Sequence, residues 1–519
     1  MKKIFSIILV LTLVYGMTSC TSDFDEINTN PGAFTSLTND DAAGLYGKES
    51  RFSFLGGDYQ LNQGLHSDLY AQHFATIVTY FSSDRYVYHP NWDAYLWQCI
   101  LIRTAPYSYK IYEMYDENTA ENAMARICYV YGMEMLCDRA GAIPYGAGSG
   151  KAAPFVDQST AYHAMIEDLT KAAAVLSTAS SSAFASKDRI YEGDCKKWMK
   201  FANTMRLRIA MRLVNKEPDY AKTQAEAAYS AGVMTSADDD AWFKSDPSIG
   251  EWTNYISQTA SWHEFGMSST IYSYMVGWSD PRLGIYFQVS PKTNDYHCVR
   301  NGMPSADINS VNATEKNYVS NIGTNWVTYN ASTDTFSPIF TFPRLVLPAA
   351  DAFFLRSEGA LRGWNMGGTA KDLYEQGIKA SMKSWGVSDA DVAAYLNVTA
   401  DPCAPNDYYK SPAVCTDLSV KFDESAGTEK QLQQIITQRW LALYTTSGEA
   451  WAEYRRTGYP VMYPPIDSDD PEIAEGQFIQ RILYPDGLKN SEGAEAINNA
   501  IKLNGGTKDS QATKLYYAK

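Results

Sequence analysis

Two helical patterns stand back to back between residues 350 and 385. The first, 350–362, presents Phe353, Phe354, Ala360 and Leu361. The second, 370–385, presents Leu373, Tyr374, Ile378, Met382 and Trp385. Apolar residues recurring every three to four positions line one face of a helix. The glycine-bearing stretch 363–368 between them is turn chemistry. The segment therefore predicts a helix pair, and small Ala360 and Gly377 would let the two backbones approach closely.

The pair occupies about 37 residues, near the ~34-residue period of tetratricopeptide helix pairs. Similar patterns recur along the chain. Residues 121–138 place Ala125, Tyr129, Met133 and Leu136 at helical spacing, with Gly141 and Pro144 as stops. Residues 160–173 repeat the pattern with Met165, Ile166, Leu169 and Ala173. A helix beginning at Asp194 carries Trp198, Phe201, Met205, Ile209 and Leu213 and ends before Pro218. An Ala-rich partner, 219–231, closes at Gly232, and 430–446 carries Leu432, Ile435, Ile436, Trp440, Leu443 and Tyr444. The expected fold is mainly α, with a scaffold of tetratricopeptide-like helix pairs over about 100–232 and 348–460.

Two stretches lack this period. Residues 51–98 are aromatic and loop-like. Residues 236–343 are rich in Ser, Asn, Asp, Gly, Trp and Tyr. A structureless loop that long would be abnormal inside a compact domain. The second stretch therefore predicts an irregular, loop-rich subdomain facing a ligand, since loops on a rigid scaffold are where binding residues concentrate.

At the N-terminus, Lys2 and Lys3 precede an apolar run, Ile4 to Tyr15, and then Met17-Thr18-Ser19-Cys20. This is the layout of a secretory signal over 1–19. Its apolar run is too short for a membrane span of ~20 residues. A cysteine at the cleavage point makes Cys20 the expected lipidation site, where acyl chains such as palmitate would tether the protein. Residues 20–39 read as an acidic tether carrying Asp23, Asp25 and Glu26, and 40–519 as one domain.

A formal net charge of −15 repels nucleic acid and anionic headgroups, which argues against both as partners. The chain has eight cysteines and only six histidines. There is no CxxC pair or His/Cys cluster, so no metal site is expected. Cys403 and Cys415 lie in a Pro/Asn/Asp-rich segment and could close a disulfide loop. The acidic runs 238–240 and 467–470 could hold Ca²⁺ through oxygen ligands but lack EF-hand spacing, and read as solvated turns. No cofactor is expected. Nothing resembles a GxSxG nucleophile elbow, and no two carboxylates stand out as a glycosidase pair. The chain reads as a non-enzyme, with a surface glycoside hydrolase as the rival class.

Tyr and Trp suit half-wet binding surfaces, because each pairs an apolar ring with a polar tip. Sugar rings stack on such side chains while their hydroxyls bond to neighbouring polar groups. Two clusters offer the mixture. One runs from Tyr80 to Tyr88 and on to Trp92, Tyr95 and Trp97. The other holds Trp252, Tyr255, Trp262, Phe265, Tyr272, Tyr274 and Trp278. The candidate ligand contacts are Tyr86, Tyr88, Trp92, Trp97, Trp252, Tyr255 and Trp262. The arginines of the Trp198 helix are expected to pair with acids on neighbouring helices. Arg455 and Arg456, with Glu449 and Glu453, are expected to form a structural network at a helix end.

Several segments, taken in order, carry a family resemblance. They are Phe24-Asp25-Glu26-Ile27-Asn28-Thr29-Asn30-Pro31 and Trp198-Met199-Lys200-Phe201-Ala202-Asn203-Thr204-Met205-Arg206. Further on come Ser357-Glu358-Gly359-Ala360, Gln438-Arg439-Trp440, Glu449-Ala450-Trp451-Ala452-Glu453-Tyr454-Arg455-Arg456-Thr457-Gly458 and Arg481-Ile482-Leu483-Tyr484-Pro485. Behind a lipobox-like signal, this series resembles the SusD/RagB-type outer-membrane lipoproteins of Bacteroidetes. Two departures stand out. Asp138-Arg139-Ala140-Gly141 replaces the family's glycine-acid turn, and Glu358-Gly359-Ala360 replaces its commoner Glu-Ala. The resemblance implies a cell-surface, lipid-anchored protein of the outer membrane. It would capture glycans, or in some members peptides, and deliver them to a SusC-type TonB-dependent transporter by closing over it as a lid. It also implies that Asp23, Asp25 and Glu26 are a surface-export signal.

Overall fold

The computed structural model describes residues 37–519 except 56, 147–152, 250–252, 315–317, 411–412 and 490–492. Cys20, Asp23, Asp25, Glu26 and Trp252 lie outside the described residues. The chain divides into two units, Met1–Ala42 and Ala43–Lys519. In the described part of the first, the Thr38 N–H donates to the Asp41 carboxylate at 2.8 Å.

In the second unit, four helices follow one another and pack in sequence: Ala120–Ala140, Gln158–Thr178, Cys195–Arg212 and Pro218–Gly232. Their starts obey local chemistry. Asp157 and Asp194 accept bonds from the first free backbone N–H groups of their helices, which satisfies donors that would otherwise be orphaned. Pro218 sits in the first turn of its helix, where its missing N–H costs nothing.

The helix pair read from the sequence forms as Ala349–Leu361 and Ala370–Ser384, with Thr369 as N-cap of the second. Gly377 packs on the Phe354 ring so closely that a Cβ there would lie 2.7 Å from Cε1. Thr428–Ala442 packs on the pair, and Ser447–Thr457 follows it. The Ala349–Leu361 helix also meets Cys195–Arg212, which joins the two helical blocks.

Where these helices meet, the interior is ionic. Arg208 pairs with Asp351 at 3.0 Å, and Arg439 pairs with Asp351 at 2.6 Å and with Glu449 at 2.5 Å. Arg212 pairs with Asp138 at 3.1 Å and also reaches Glu449 and Glu453. Arg456 bridges Glu358 at 2.5 Å and Glu453 at 2.6 Å. All of these groups are buried. Arg208 and Arg212, with Arg439 and Arg456, therefore serve as the internal clasp of five helices, as the charge pattern predicted; Arg206 departs from that expectation and donates to the Gln224 side-chain carbonyl instead. Arg455 departs from expectation. It stacks on Trp451 at 3.6 Å and donates to the Asp138 and Gln480 carbonyls.

One member of the clasp titrates unusually. Burial pushes the Glu134 carboxyl up to about 8, only partly offset by Arg208, and the neighbouring Asp138 and Glu449 carboxylates add to the rise. Its Oε1 is buried without a hydrogen-bond partner. Folding therefore favours protonated Glu134. The resulting stability is complete below the ordinary value of 4.5 and drains away as pH rises toward and through 8. Glu453 has the opposite sign: Arg439, Arg456 and Arg212 overcome its burial and hold it well below the ordinary range. The stability it contributes is lost as pH falls below the normal carboxylate range. Between pH 5 and 8, the wild-type melting temperature should fall more steeply with pH than that of Glu134→Gln. Parallel curves would refute this assignment.

The two stretches without helical period are structured. Within 51–98 the chain forms short helical turns and the helices Ser67–Tyr70 and Pro90–Trp97. Within 236–343 it forms Ile256–Trp262, Ser269–Gly277 and Ser305–Thr314, with short strands between them. Strand Ala241–Phe243 pairs antiparallel with Arg344–Leu347, and Val327–Asn330 pairs with Thr335–Pro338. Short periods of this kind, interrupted by Ser, Asn and Gly, escape a pattern search tuned to long helices.

The possible Cys403–Cys415 disulfide is not formed; both are thiols. Each is held instead against the Ser269–Gly277 helix. The Cys403 N–H donates to the Ser273 carbonyl at 3.0 Å, and the Ser273 hydroxyl lies 3.6 Å from the Cys415 sulfur. The acidic runs are likewise engaged by protein donors. Asp239 pairs with Lys200, Asp240 accepts from the Ala349 N–H, Asp469 pairs with Arg85, and Asp470 accepts from Gln511.

Candidate functional site

The two aromatic clusters, far apart in sequence, are joined by one short ladder. Strand Phe74–Thr76 pairs antiparallel with Phe265–Met267, with Thr76 opposite Phe265. The Ile77 N–H extends the ladder to the Glu264 carbonyl at 2.9 Å. On the far side, the Met267 N–H donates to the Ser320 carbonyl. Gly266 is required in this layer, because a Cβ there would lie 2.4 Å from Val319 Cγ1. Ala75, Ile77, Val299, Met303, Ile308 and Val319 form a buried apolar cluster associated with these strands. The platform thus stands on a packed base.

The Ile256–Trp262 helix ends at His263, whose φ of 49° is left-handed and turns the chain into the strand. Exposure then changes residue by residue: Trp262 is 45% exposed, His263 buried, Glu264 half-buried and Phe265 buried. On the partner segment, Tyr80 is 59% exposed, and Phe81 turns inward. Phe81 stacks on Phe265 at 5.3 Å and meets Trp92 edge-on at 5.8 Å. His89 lies against Trp92 at 3.8 Å and bonds to the Ser82 hydroxyl. Burial pulls His89 below its ordinary value, so it is neutral at pH 7. The His89 N–H donates to the buried Asp93, which also meets His66 at 3.2 Å.

The polar centre of this surface is Glu264. Its Oε1 accepts from the Tyr80 hydroxyl at 2.5 Å, and its Oε2 accepts from the Gln60 amide at 3.1 Å. Partial burial and the Glu264 carboxylate raise the Tyr80 hydroxyl to about 12, which keeps it a donor.

The predicted contacts divide. Trp262 is exposed, Trp92 and Tyr255 are half-buried, and Tyr88 is half-buried with the Lys489 ammonium 5.4 Å from its ring centre. The structure assigns Tyr86 and Trp97 to the core instead. Tyr86 is buried in a left-handed cap against Tyr70, and Trp97 is buried between Tyr484 and Phe155. Aromatic rings stabilise cores as readily as they bind ligands, and ring type alone does not separate the two. Tyr80 and Phe265 belong to the same two aromatic clusters. Glu264 and Gln60 carried no sequence signal, because only the strand pairing brings them together.

A concavity of about 820 Å³ lies elsewhere, between Ala370–Ser384 and Asp389–Tyr395. It is lined by aliphatic groups and lysines such as Lys379 and Lys383, and its two aromatic rings, Phe353 and Phe422, are buried. It offers no exposed ring on which a sugar could stack.

Together, the packed helix pairs and the loop-borne aromatic surface define a class: a mainly α scaffold that presents a platform on its irregular segment. A family model described as "SusD-like: Susd and RagB outer membrane lipoprotein" matches residues 44–518, and the chain belongs to this SusD-like family. Solved structures agree. A SusD-like protein from Bacteroides thetaiotaomicron is 28% identical with a TM-score of 0.81, and the match covers 92% of this chain and 98% of that one. A chitin-binding SusD homolog from Flavobacterium johnsoniae is 31% identical with a TM-score of 0.78, over 92% and 98%. A SusD homolog from Bacteroides ovatus is 26% identical with a TM-score of 0.78, over 92% and 99%. Among curated proteins, none matches the chain. Among the described residues, no helix is long and apolar enough to cross a membrane.

Proposed function

We propose that this protein captures oligosaccharides on the surface built by Tyr80, Trp262 and Glu264, and passes them to a SusC-type TonB-dependent transporter without altering them. One observation carries the binding reading. The exposed Tyr80 donates its hydroxyl to the half-buried Glu264 carboxylate, which the Gln60 amide also holds, and Trp262, two residues before Glu264 in the chain, is exposed at the end of its helix. Rings supply stacking faces, and the carboxylate accepts sugar hydroxyls. Similarity to a chitin-binding homolog supports a glycan as cargo. The family's description as outer-membrane lipoproteins supports anchoring through Cys20, with Asp23, Asp25 and Glu26 as the export signal. The transporter partnership rests on the family resemblance.

Calorimetric titration of the soluble body with β-linked N-acetylglucosamine oligosaccharides tests the binding. Saturable binding with no release of shorter sugars is expected. Release of reducing ends would show an enzyme, and the absence of heat would remove the glycan reading.

A further inference from the structure

We propose that Glu264 sets the charge preference of the platform, restricting its ligands to neutral or cationic oligosaccharides and rejecting those with carboxylate or sulfate groups. This rests on the platform reading above and adds a ligand class to it.

Both Glu264 oxygens are occupied by uncharged donors: the Tyr80 hydroxyl and the Gln60 amide. Such donors orient a carboxylate without cancelling its charge. The ionic clasp in the core is the contrast, since Asp138, Asp351 and Glu358 there are each matched by arginine. Among the described residues, no Lys, Arg or His pairs with Glu264. A carboxylate has about four acceptor positions. One per oxygen is used, so each oxygen keeps a position for a ligand N–H or O–H.

The charge is also fixed in space. The Glu264 backbone carbonyl is held by the Ile77 N–H at 2.9 Å and by the Thr76 hydroxyl at 3.4 Å. Its side chain is pinned from both sides. Trp262, two residues earlier, is exposed at the end of its helix. A sugar stacked on Tyr80 therefore meets a preformed carboxylate acceptor. Amide, hydroxyl and ammonium groups satisfy it. A uronate or sulfate meets like charge at short range, which disfavours binding. The net charge of −15 adds a long-range field of the same sign, but that field is screened beyond about 8 Å at physiological salt. Discrimination that survives salt therefore belongs to Glu264.

The test uses three hexasaccharide probes in calorimetry at 0.15 M salt: N-acetylglucosamine (neutral), glucosamine (cationic) and galacturonic acid (anionic). The wild type should bind the first two and bind the third at least about tenfold more weakly. Glu264→Gln keeps the shape and an acceptor. It should reduce the cationic-to-anionic affinity ratio by about tenfold, while the neutral probe changes only a few-fold. A thermal melt matching the wild type shows that the variant is folded. An unchanged ratio in folded Glu264→Gln would overturn the proposal, even if Trp262→Ala still weakened binding and so upheld the platform. Failure of the wild type to bind any of the probes would overturn both.

Discussion

Replacing Arg212 with Leu should destabilise the protein by about 3 kcal/mol or more, because a buried ion pair that loses one partner leaves an uncompensated charge. Arg212 is fully buried and serves Asp138, Glu449 and Glu453, on two other helices. The losses are unequal. Glu453 keeps Arg439 and Arg456, and Glu449 keeps Arg439. Asp138 loses its ion partner and retains the Tyr162 hydroxyl at 2.5 Å. Most of the cost therefore falls on Asp138. Arg189→Ala is the control. Its pair with Asp246 at 3.3 Å is partly exposed on both sides, and pairs of that kind contribute about 0–1 kcal/mol. Urea unfolding of both variants checks the contrast. Equal, sub-kilocalorie losses would mean that the clasp is not what joins the helical blocks.

The second large effect concerns binding. Trp262→Ala and Tyr80→Ala should each weaken oligosaccharide affinity about 30-fold, since truncating a central aromatic anchor costs ~2 kcal/mol or more. Stability should barely change, because both rings are largely exposed. Trp97→Ala should behave in the opposite way. Trp97 is buried, and emptying such a site costs about 3–5 kcal/mol, with sugar affinity retained in the folded fraction. Calorimetry paired with melting curves separates the two patterns. If Trp97→Ala weakened sugar affinity while Trp262→Ala left it unchanged, the platform would be misplaced.

Much of the helical scaffold was legible before the fold. Periodic apolar residues and N-caps such as Asp194 act over one or two helical turns, and the sequence displays them directly; Pro218, expected to end the Trp198 helix, instead opens the next one, and the Trp198 helix stops at Arg212. That small Gly377 would let the helix pair approach closely could be anticipated from residue size; that it meets the Phe354 ring was shown only by the packing. The pairing of Arg208 and Arg212 could also be anticipated, because a basic stripe inside an acidic protein has to find acids, although Arg206 bonds Gln224 instead. The candidate site was legible only in outline. Both aromatic clusters were visible, but Tyr86 and Trp97 turned inward, while Tyr80 and Trp262 remained outside.

The sequence itself displayed most helices of the scaffold, the faces they bury, and the concentration of Tyr and Trp on the irregular segments; several helix ends moved, the Trp198 helix stopping at Arg212. These properties are local or compositional. The tertiary structure alone decided which rings face solvent, and that Glu264 meets Tyr80 and Gln60. The positions of Gln60 and Glu264 are separated by about 200 residues, and three paired residues on each of two short strands close that distance. Such a ladder has too few residues to show a period, so its register and the carboxylate it positions emerge only when the packed core brings the strands together.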